Sequence, residues 1–167
     1  MAIPGKVDII SEELNRYNLD LVALQETRWP NVGKESTHHH QIYYSGNTEG
    51  VYQHGVAIAV KNSINSAVTA FEAVNERICT MRLKGAFKNI TIVCIYAPTE
   101  ESDDDQKDYF YETLECVLSK IPTYDVKLII GDANAKIGKE QIWKSTAGEN
   151  SLHDDSNDNG TRLLTLA

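Results

Sequence analysis

Short apolar runs punctuate this chain, and three of them stop on a residue able to do chemistry. Residues 19–24 (LDLVAL) lead into Gln25-Glu26-Thr27, residues 90–95 (ITIVCI) into Tyr96-Ala97-Pro98, and residues 128–130 into Gly131-Asp132-Ala133-Asn134. Runs of this length, rich in Val and Ile and bounded by Gly or Pro, predict buried strands. Residues 42–45 and 56–60 predict two more, with a turn over residues 46–50 (GNTEG). Cys79, Met81 and Leu83 alternate with polar neighbours, the period of a strand with one buried face. Gly85 breaks that strand, and residues 90–95 are expected to return antiparallel beside it.

Elsewhere the period is helical. Val7, Ile10, Leu14 and Tyr17 predict an amphipathic helix from Lys6 to Tyr17, with Asn18 as its stop. Ser102 is expected to cap a second helix, with Asp103, Asp104 and Asp105 at its positive end. Phe110, Leu114, Val117, Leu118 and Ile121 form its stripe, and Pro122 follows its end. Residues 29–40 read as loop, 145–160 as polar and irregular, and 161–167 as the start of another helix. No internal repeat or low-complexity tract is present.

Ligands and catalytic groups gather where buried strands of layered α/β proteins end, so the three polar endings are expected to meet at one rim. Glu26 offers the oxygen donor that Mg²⁺ or Mn²⁺ prefers. In Gly131-Asp132-Ala133-Asn134 the i, i+2 spacing can present both polar side chains on one side of an extended segment. An ionised Asp132 can take a proton from water, and the Asn134 amide can donate to a phosphoryl oxygen. An Asx turn closing a strand is the alternative reading of that tetrapeptide. Tyr96 can donate its phenol to a phosphate or simply have a buried ring with a wet hydroxyl.

With 167 residues, one domain with a sizeable core is expected. No run is long enough to span a membrane, and the N-terminus lacks a signal-peptide plan. The three cysteines, Cys79, Cys94 and Cys116, are odd in number and widely spaced. They read as small buried residues of an intracellular protein, not as disulfides or a zinc site. A net charge of −8 argues against a broad basic surface for nucleic acid. Only Lys136, Lys139 and Lys144 form a relatively basic segment, read as solvated loop lysines ahead of a phosphate contact. The run His38–His40 reads as an exposed loop, and the triple aspartate as a helix cap, ahead of metal clusters.

Together these segments resemble the endonuclease/exonuclease/phosphatase superfamily. Leu24-Gln25-Glu26-Thr27 resembles its metal-ligand motif, and Tyr96-Ala97-Pro98 and Gly131-Asp132-Ala133-Asn134 two further motifs in the expected order. The flanking text, including Glu26-Thr27-Arg28-Trp29, Asn134-Ala135-Lys136-Ile137-Gly138 and Asn157-Asp158-Asn159-Gly160-Thr161-Arg162-Leu163-Leu164, is similar to endonuclease domains of non-LTR retrotransposons. The resemblance implies an α/β fold, a four-layer α/β sandwich of two mainly antiparallel sheets flanked by helices, here incomplete. It implies a metal-dependent phosphodiester hydrolase acting on DNA, with Mg²⁺ (or Mn²⁺) on Glu26. Asp132 would orient or deprotonate the attacking water, Asn134 would position phosphate and nucleophile, and Tyr96 would contact the phosphate.

Two family features have no counterpart in the text: an initial strand bearing a metal-site asparagine, and a closing Ser-Asp-His motif. The chain therefore reads as a single partial domain over residues 1–167, weakly active or inactive as written. None of the five histidines, His38, His39, His40, His54 and His153, stands in the context of the closing motif. A non-catalytic remnant or binding module is the second reading. A phosphatase acting on a non-nucleic-acid phosphoester is the third, disfavoured by the retroelement-like text. A nuclear location is implied by the resemblance alone.

Overall fold

The computed structural model describes residues 5–48 and 53–167, which fall into two compact units. The first comprises residues up to Tyr96 together with Ile121–Gly131, and the second Ala97–Lys120 with Asp132–Ala167. Glu49 and Gly50 of the expected turn, and the segment before Gly5, lie outside the described residues.

In the first unit the chain starts with helix α1 (Lys6–Arg16), close to the expected span, and Asn18 turns the chain at φ 53°. One sheet holds β1 (Leu21–Gln25), β4 (Val56–Lys61), β3 (His40–Ser45) and β2 (Val32–Ser36), in that order and antiparallel throughout. A second sheet holds β5 (Val68–Ala73), β6 (Ile78–Leu83), β7 (Ile90–Tyr96) and β8 (Val126–Asp132). The antiparallel return of β7 on β6 is as expected, with Met81 opposite Ile92. By contrast β8 runs parallel to β7: Val126 N donates to Asn89 O at one end, and Gly131 lies against Ile95 towards the other.

Alternation along β4 explains the layers. Val56, Ile58 and Val60 pack with Cys79, Met81, Ile92 and Cys94 of the second sheet, while Ala57 and Ala59 join Ile42, with Val7 and Leu14 of α1 beside them. A strand buried on both faces reads as a continuous apolar run, which is what residues 56–60 are. The expected α/β class with two mainly antiparallel sheets is therefore the observed one.

Several expectations are corrected. Residues 29–40 are not all loop, because β2 lies within them as an edge strand. Its pairing comes from β3 and not from apolar residues of its own; four of its five residues are exposed. The segment 61–77 contains β5, which no apolar run announced. Of the three strands expected to be buried only β7 is; β1 is half-buried, and in β8 Leu128 and Ile129 are 44% and 39% exposed. Among the described residues, β1 and β8 stand at the end of their sheet, with a strand neighbour on one side only. Cys79 and Cys94 are buried as expected, but Cys116 is exposed, since its position on the second helix faces away from that helix's apolar stripe. His40 is not in an exposed loop. It opens β3 fully buried, bonded to Ser11 Oγ (3.0 Å) and to the Leu19 carbonyl (3.3 Å).

The second unit contains helices α2 (Asp104–Lys120), α3 (Lys144–Ala147) and α4 (Asp158–Leu166). The cap of α2 is Asp103 and not Ser102: its Oδ1 accepts from Gln106 N at 2.8 Å, and its Oδ2 accepts from the Gln106 side chain. Both bonds run from Gln106 to the Asp103 carboxylate, the accepting half of a capping box. Phe110, Leu114 and Val117 are buried as the stripe predicts. α4 begins at Asp158, three residues before the expected start, because Asn157 caps it by accepting from Gly160 N (2.8 Å). Lys107 to Asp158 (3.2 Å) and the Arg162 guanidinium to Asp108 tie α2 to α4.

Candidate active site

In the first unit, Glu26 follows β1 directly and adopts φ 54°, a left-handed backbone that a non-glycine residue rarely takes. The corner is held by backbone bonds: Thr27 N to Gly55 O (3.1 Å), Arg28 N to His54 O (2.8 Å) and Gly55 N to Glu76 O (3.0 Å). His54 is also left-handed, at φ 66°. Each such residue costs about 1–2 kcal/mol, and that kind of strain clusters where function requires a fixed geometry.

The corner delivers Glu26 to Tyr96, at the end of β7. The phenol donates to Glu26 Oε1 at 3.1 Å, joining residues 70 positions apart, while Arg28 donates to Glu26 Oε2 at 3.3 Å. The Tyr96 ring is buried. Arg77 lies 5.4 Å from its centroid and donates to the Tyr96 carbonyl at 3.2 Å. The same guanidinium donates to His54 Nε2 at 3.2 Å. Burial, then the Arg77 charge, pull the His54 pKa below its ordinary value, and because a guanidinium can only donate, Nε2 is the acceptor. Burial also lowers Arg77, for which no carboxylate among the described residues lies within ion-pair distance. Sequence reading missed Arg77 and set His54 aside. Each precedes the first apolar residue of a strand by one or two positions, which is weak warning.

In the second unit, Asp132 and Asn134 form one corner. Asp132 Oδ1 accepts from Asn134 N at 2.9 Å, the Asx-type turn the sequence allows, and Asn134 sits at φ 47°. Asn134 Nδ2 donates to the Ala97 carbonyl (2.8 Å), and Ala97 N donates to the Asp132 carbonyl (2.8 Å). One Asn134 amide proton is thereby committed, and the other has no acceptor among the described residues. Asp132 is exposed, with Oδ2 open. Thus Glu26 meets Tyr96 in one unit, and Asp132 meets Asn134 in the other. The basic segment beyond Asn134 is largely neutralised, Lys139 by Asp154 (2.9 Å) and Lys144 by Glu149 (2.5 Å).

Glu26 fits a hard divalent cation. Its side chain is 53% exposed, and both oxygens are held by donors that an ion would displace or share. Among the described residues no three His, Cys, Asp or Glu cluster as a metal cage. A single exposed carboxylate of this kind can serve a hard divalent ion that keeps several waters and takes one or two carboxylates with substrate oxygens.

The model of the Endonuclease/Exonuclease/phosphatase family matches residues 4–161. Craniofacial development protein 2 of Bos taurus is 34% identical over 139 residues, which are 83% of this chain and 23% of that protein. The same protein of Tragulus javanicus is 34% identical over 139 residues, 83% and 24% of the two chains. This chain thus spans about a quarter of those relatives' length. Among solved structures, the endonuclease domain of TRAS1, a telomere-specific non-LTR retrotransposon, matches with TM-score 0.58 and 16% identity, over 98% of this chain and 65% of that one. The AP endonuclease LMAP from Leishmania major matches with TM-score 0.62 and 13% identity, over 96% and 59%. At such identities these two likenesses are of fold. Among the described residues no helix is long and apolar enough to cross a membrane.

Proposed function

The chain belongs to the endonuclease/exonuclease/phosphatase family, and from that premise we propose that it is a metal-dependent DNA endonuclease of the non-LTR retrotransposon type. Its reaction is in-line hydrolysis of a phosphodiester, with water as nucleophile. Glu26 holds Mg²⁺ or Mn²⁺, Asp132 takes the proton of the attacking water, Asn134 donates to a phosphoryl oxygen, and Tyr96, whose one phenolic proton leaves Glu26 when the ion binds, contacts the phosphate.

The observation that carries this reading is the Tyr96 to Glu26 hydrogen bond, 3.1 Å across 70 residues, which joins two of the three motif segments. The Asp132–Asn134 corner supports it from the other unit, because it leaves an open carboxylate oxygen and one amide proton on adjacent groups. When bound, the ion supplies Lewis-acid stabilisation of the charge that builds on phosphorus oxygens. Asp132, exposed at the strand end, accepts the water proton. The spare Nδ2 proton of Asn134 donates to a phosphoryl oxygen and stabilises the transition state more than the ground state. Arg77, over the Tyr96 ring and bonded to its carbonyl, holds that ring in place. The retroelement-like text of residues 134–138 and 159–164 favours DNA over a lipid or sugar phosphate as substrate.

The test is nicking of supercoiled plasmid in Mg²⁺ by the full chain, by Asp132→Ala and by Glu26→Ala. Each variant is expected to lose about 100-fold or more in rate, and chelation by EDTA is expected to abolish nicking by the parent. Equal residual nicking by all three proteins would remove the catalytic claim.

A further inference from the structure

The segment Asn157-Asp158-Asn159-Gly160 caps α4, yet two of its side chains do more than capping requires. Asn157 Oδ1 accepts from Gly160 N and from Lys136 N, both at 2.8 Å, which completes the cap. Its Nδ2 then reaches the Asn134 carbonyl at 3.2 Å. Asn159 is fully buried, and its Nδ2 donates to two carbonyls, Pro98 at 2.9 Å and Asn134 at 3.4 Å. Flipping that amide would set its oxygen against both carbonyls, so the donors fix its orientation.

We propose that Asn157 and Asn159 are positioning residues, whose side-chain amides converge on the Asn134 carbonyl and lock the Asp132–Asn134 corner in its working geometry. The proposal rests on the reading of Asp132 and Asn134 as reacting groups. Asn134 occupies a left-handed conformation at φ 47°. A carbonyl gripped by two amides keeps the peptide after Asn134 from rotating, and with it the direction of the Asn134 side chain. Asn159 also ties this corner to Pro98, so the carbonyl bridge spans both segments that follow the candidate strands β7 and β8.

The clamp is itself braced. Glu100 accepts from Asp158 N (3.1 Å) and Asn159 N (3.4 Å), neutralising the positive start of α4. Tyr111 donates to the Asn159 carbonyl at 3.0 Å. Gly160 packs directly on the Lys136 carbonyl, where a methyl group would overlap it. A helix cap alone needs none of the bonds to Asn134. Positioning groups of this kind govern rate because a displacement of about 1 Å at reacting atoms can cost about 100-fold.

Asn157→Asp separates the two roles. The carboxylate still accepts from Gly160 N and Lys136 N, and Asp caps helices about as well as Asn. It loses the amide donor and turns an anionic oxygen towards the Asn134 carbonyl. Asn159→Ala removes the other donor; Asn159→Asp keeps its volume in case the alanine variant unfolds. The full chain and these variants would be compared on a single-site duplex in Mg²⁺ for kcat and KM, with thermal unfolding and the ¹⁵N–¹H spectrum of Asn134 recorded alongside. The expected result for Asn157→Asp is a fall in kcat of about 10- to 100-fold, KM within about two-fold, an unchanged unfolding midpoint, and shifted backbone and side-chain resonances of Asn134. Parent-level kcat with unmoved Asn134 resonances in both Asn157→Asp and an Asn159 variant overturns the proposal. Should the parent show no nicking that Asp132→Ala lowers, the endonuclease reading fails by itself. The Asn134 resonances then decide the clamp alone: shifted, it stands as a device holding that corner; unmoved, it falls.

Discussion

Asp125 shows how much one residue can hold when its charge is fully answered. Its side chain has no exposed surface, and Arg82 grips it bidentately, Nε to Oδ2 at 2.8 Å and Nη2 to Oδ1 at 3.0 Å. Thr91 Oγ1 adds a third donor at 2.8 Å. Hydrogen bonds from Arg82, outweighing burial, hold the carboxyl below its ordinary pKa. A depressed carboxyl contributes stability that is complete above the unfolded value, about 3.9, and is lost as pH falls through the folded value. Asp125→Asn is therefore expected to be less stable than the parent at pH 7, with a gap that narrows below about pH 4. Urea midpoints at descending pH check this, and parallel curves would contradict it. At this scale the sequence was informative where chemistry and conformation coincide. Glu26, Tyr96, Asp132 and Asn134 stand out as candidates because each lies at or just past the end of an apolar run. Arg77, His54 and Asn157 do not, because their roles come from partners 19 to 23 positions away in sequence.

Elements were legible in proportion to their burial. The runs 56–60 and 90–95 became β4 and β7, the most deeply buried strands, since two covered faces leave no polar positions to blur the signal. Edge strands gave little warning. β2 (VGKES) and β5 (VTAFEA) carry polar residues on exposed faces and exist through pairing with β3 and β6, a tertiary condition that local pattern does not encode. Helix ends were read one to three residues off because several polar residues competed for each cap. β8 depends on one glycine for its fit against β7. Gly131 has φ 131°, and a methyl group there would overlap the Ile95 carbonyl oxygen. Gly131→Ala is expected to cost about 2–4 kcal/mol, from backbone strain plus displacement of a sheet neighbour. Gly148 is the control: it has φ 83° but open space around it, so alanine there is expected to cost only about 1 kcal/mol. Denaturant midpoints compare the two, and equal losses would refute the contact argument.

Across the whole molecule, 24 acidic residues outnumber 16 basic ones, and many of the basic groups are already committed. Arg82 serves Asp125, Lys107 serves Asp158, Lys139 serves Asp154, Lys144 serves Glu149, and Arg162 is surrounded by Asp104, Asp108 and Asp158. An acidic protein with seven of its 16 basic side chains in ion pairs has fewer groups with which to displace counterions from a DNA backbone. Each phosphate neutralised contributes about −0.9 to the slope of log affinity against log salt. Arg28 and Arg77, flanking Glu26 and Tyr96, are the cations the proposed site can bring to bear, with Lys136 beyond Asn134. Binding of a fluorescent duplex in Ca²⁺ or Mg²⁺ is therefore expected to weaken with KCl at a slope shallower than about −3, and Arg77→Gln is expected to flatten it by about one unit. A slope near −6 would mean that a broad cationic surface engages the duplex, and would move recognition away from the Glu26 corner altogether.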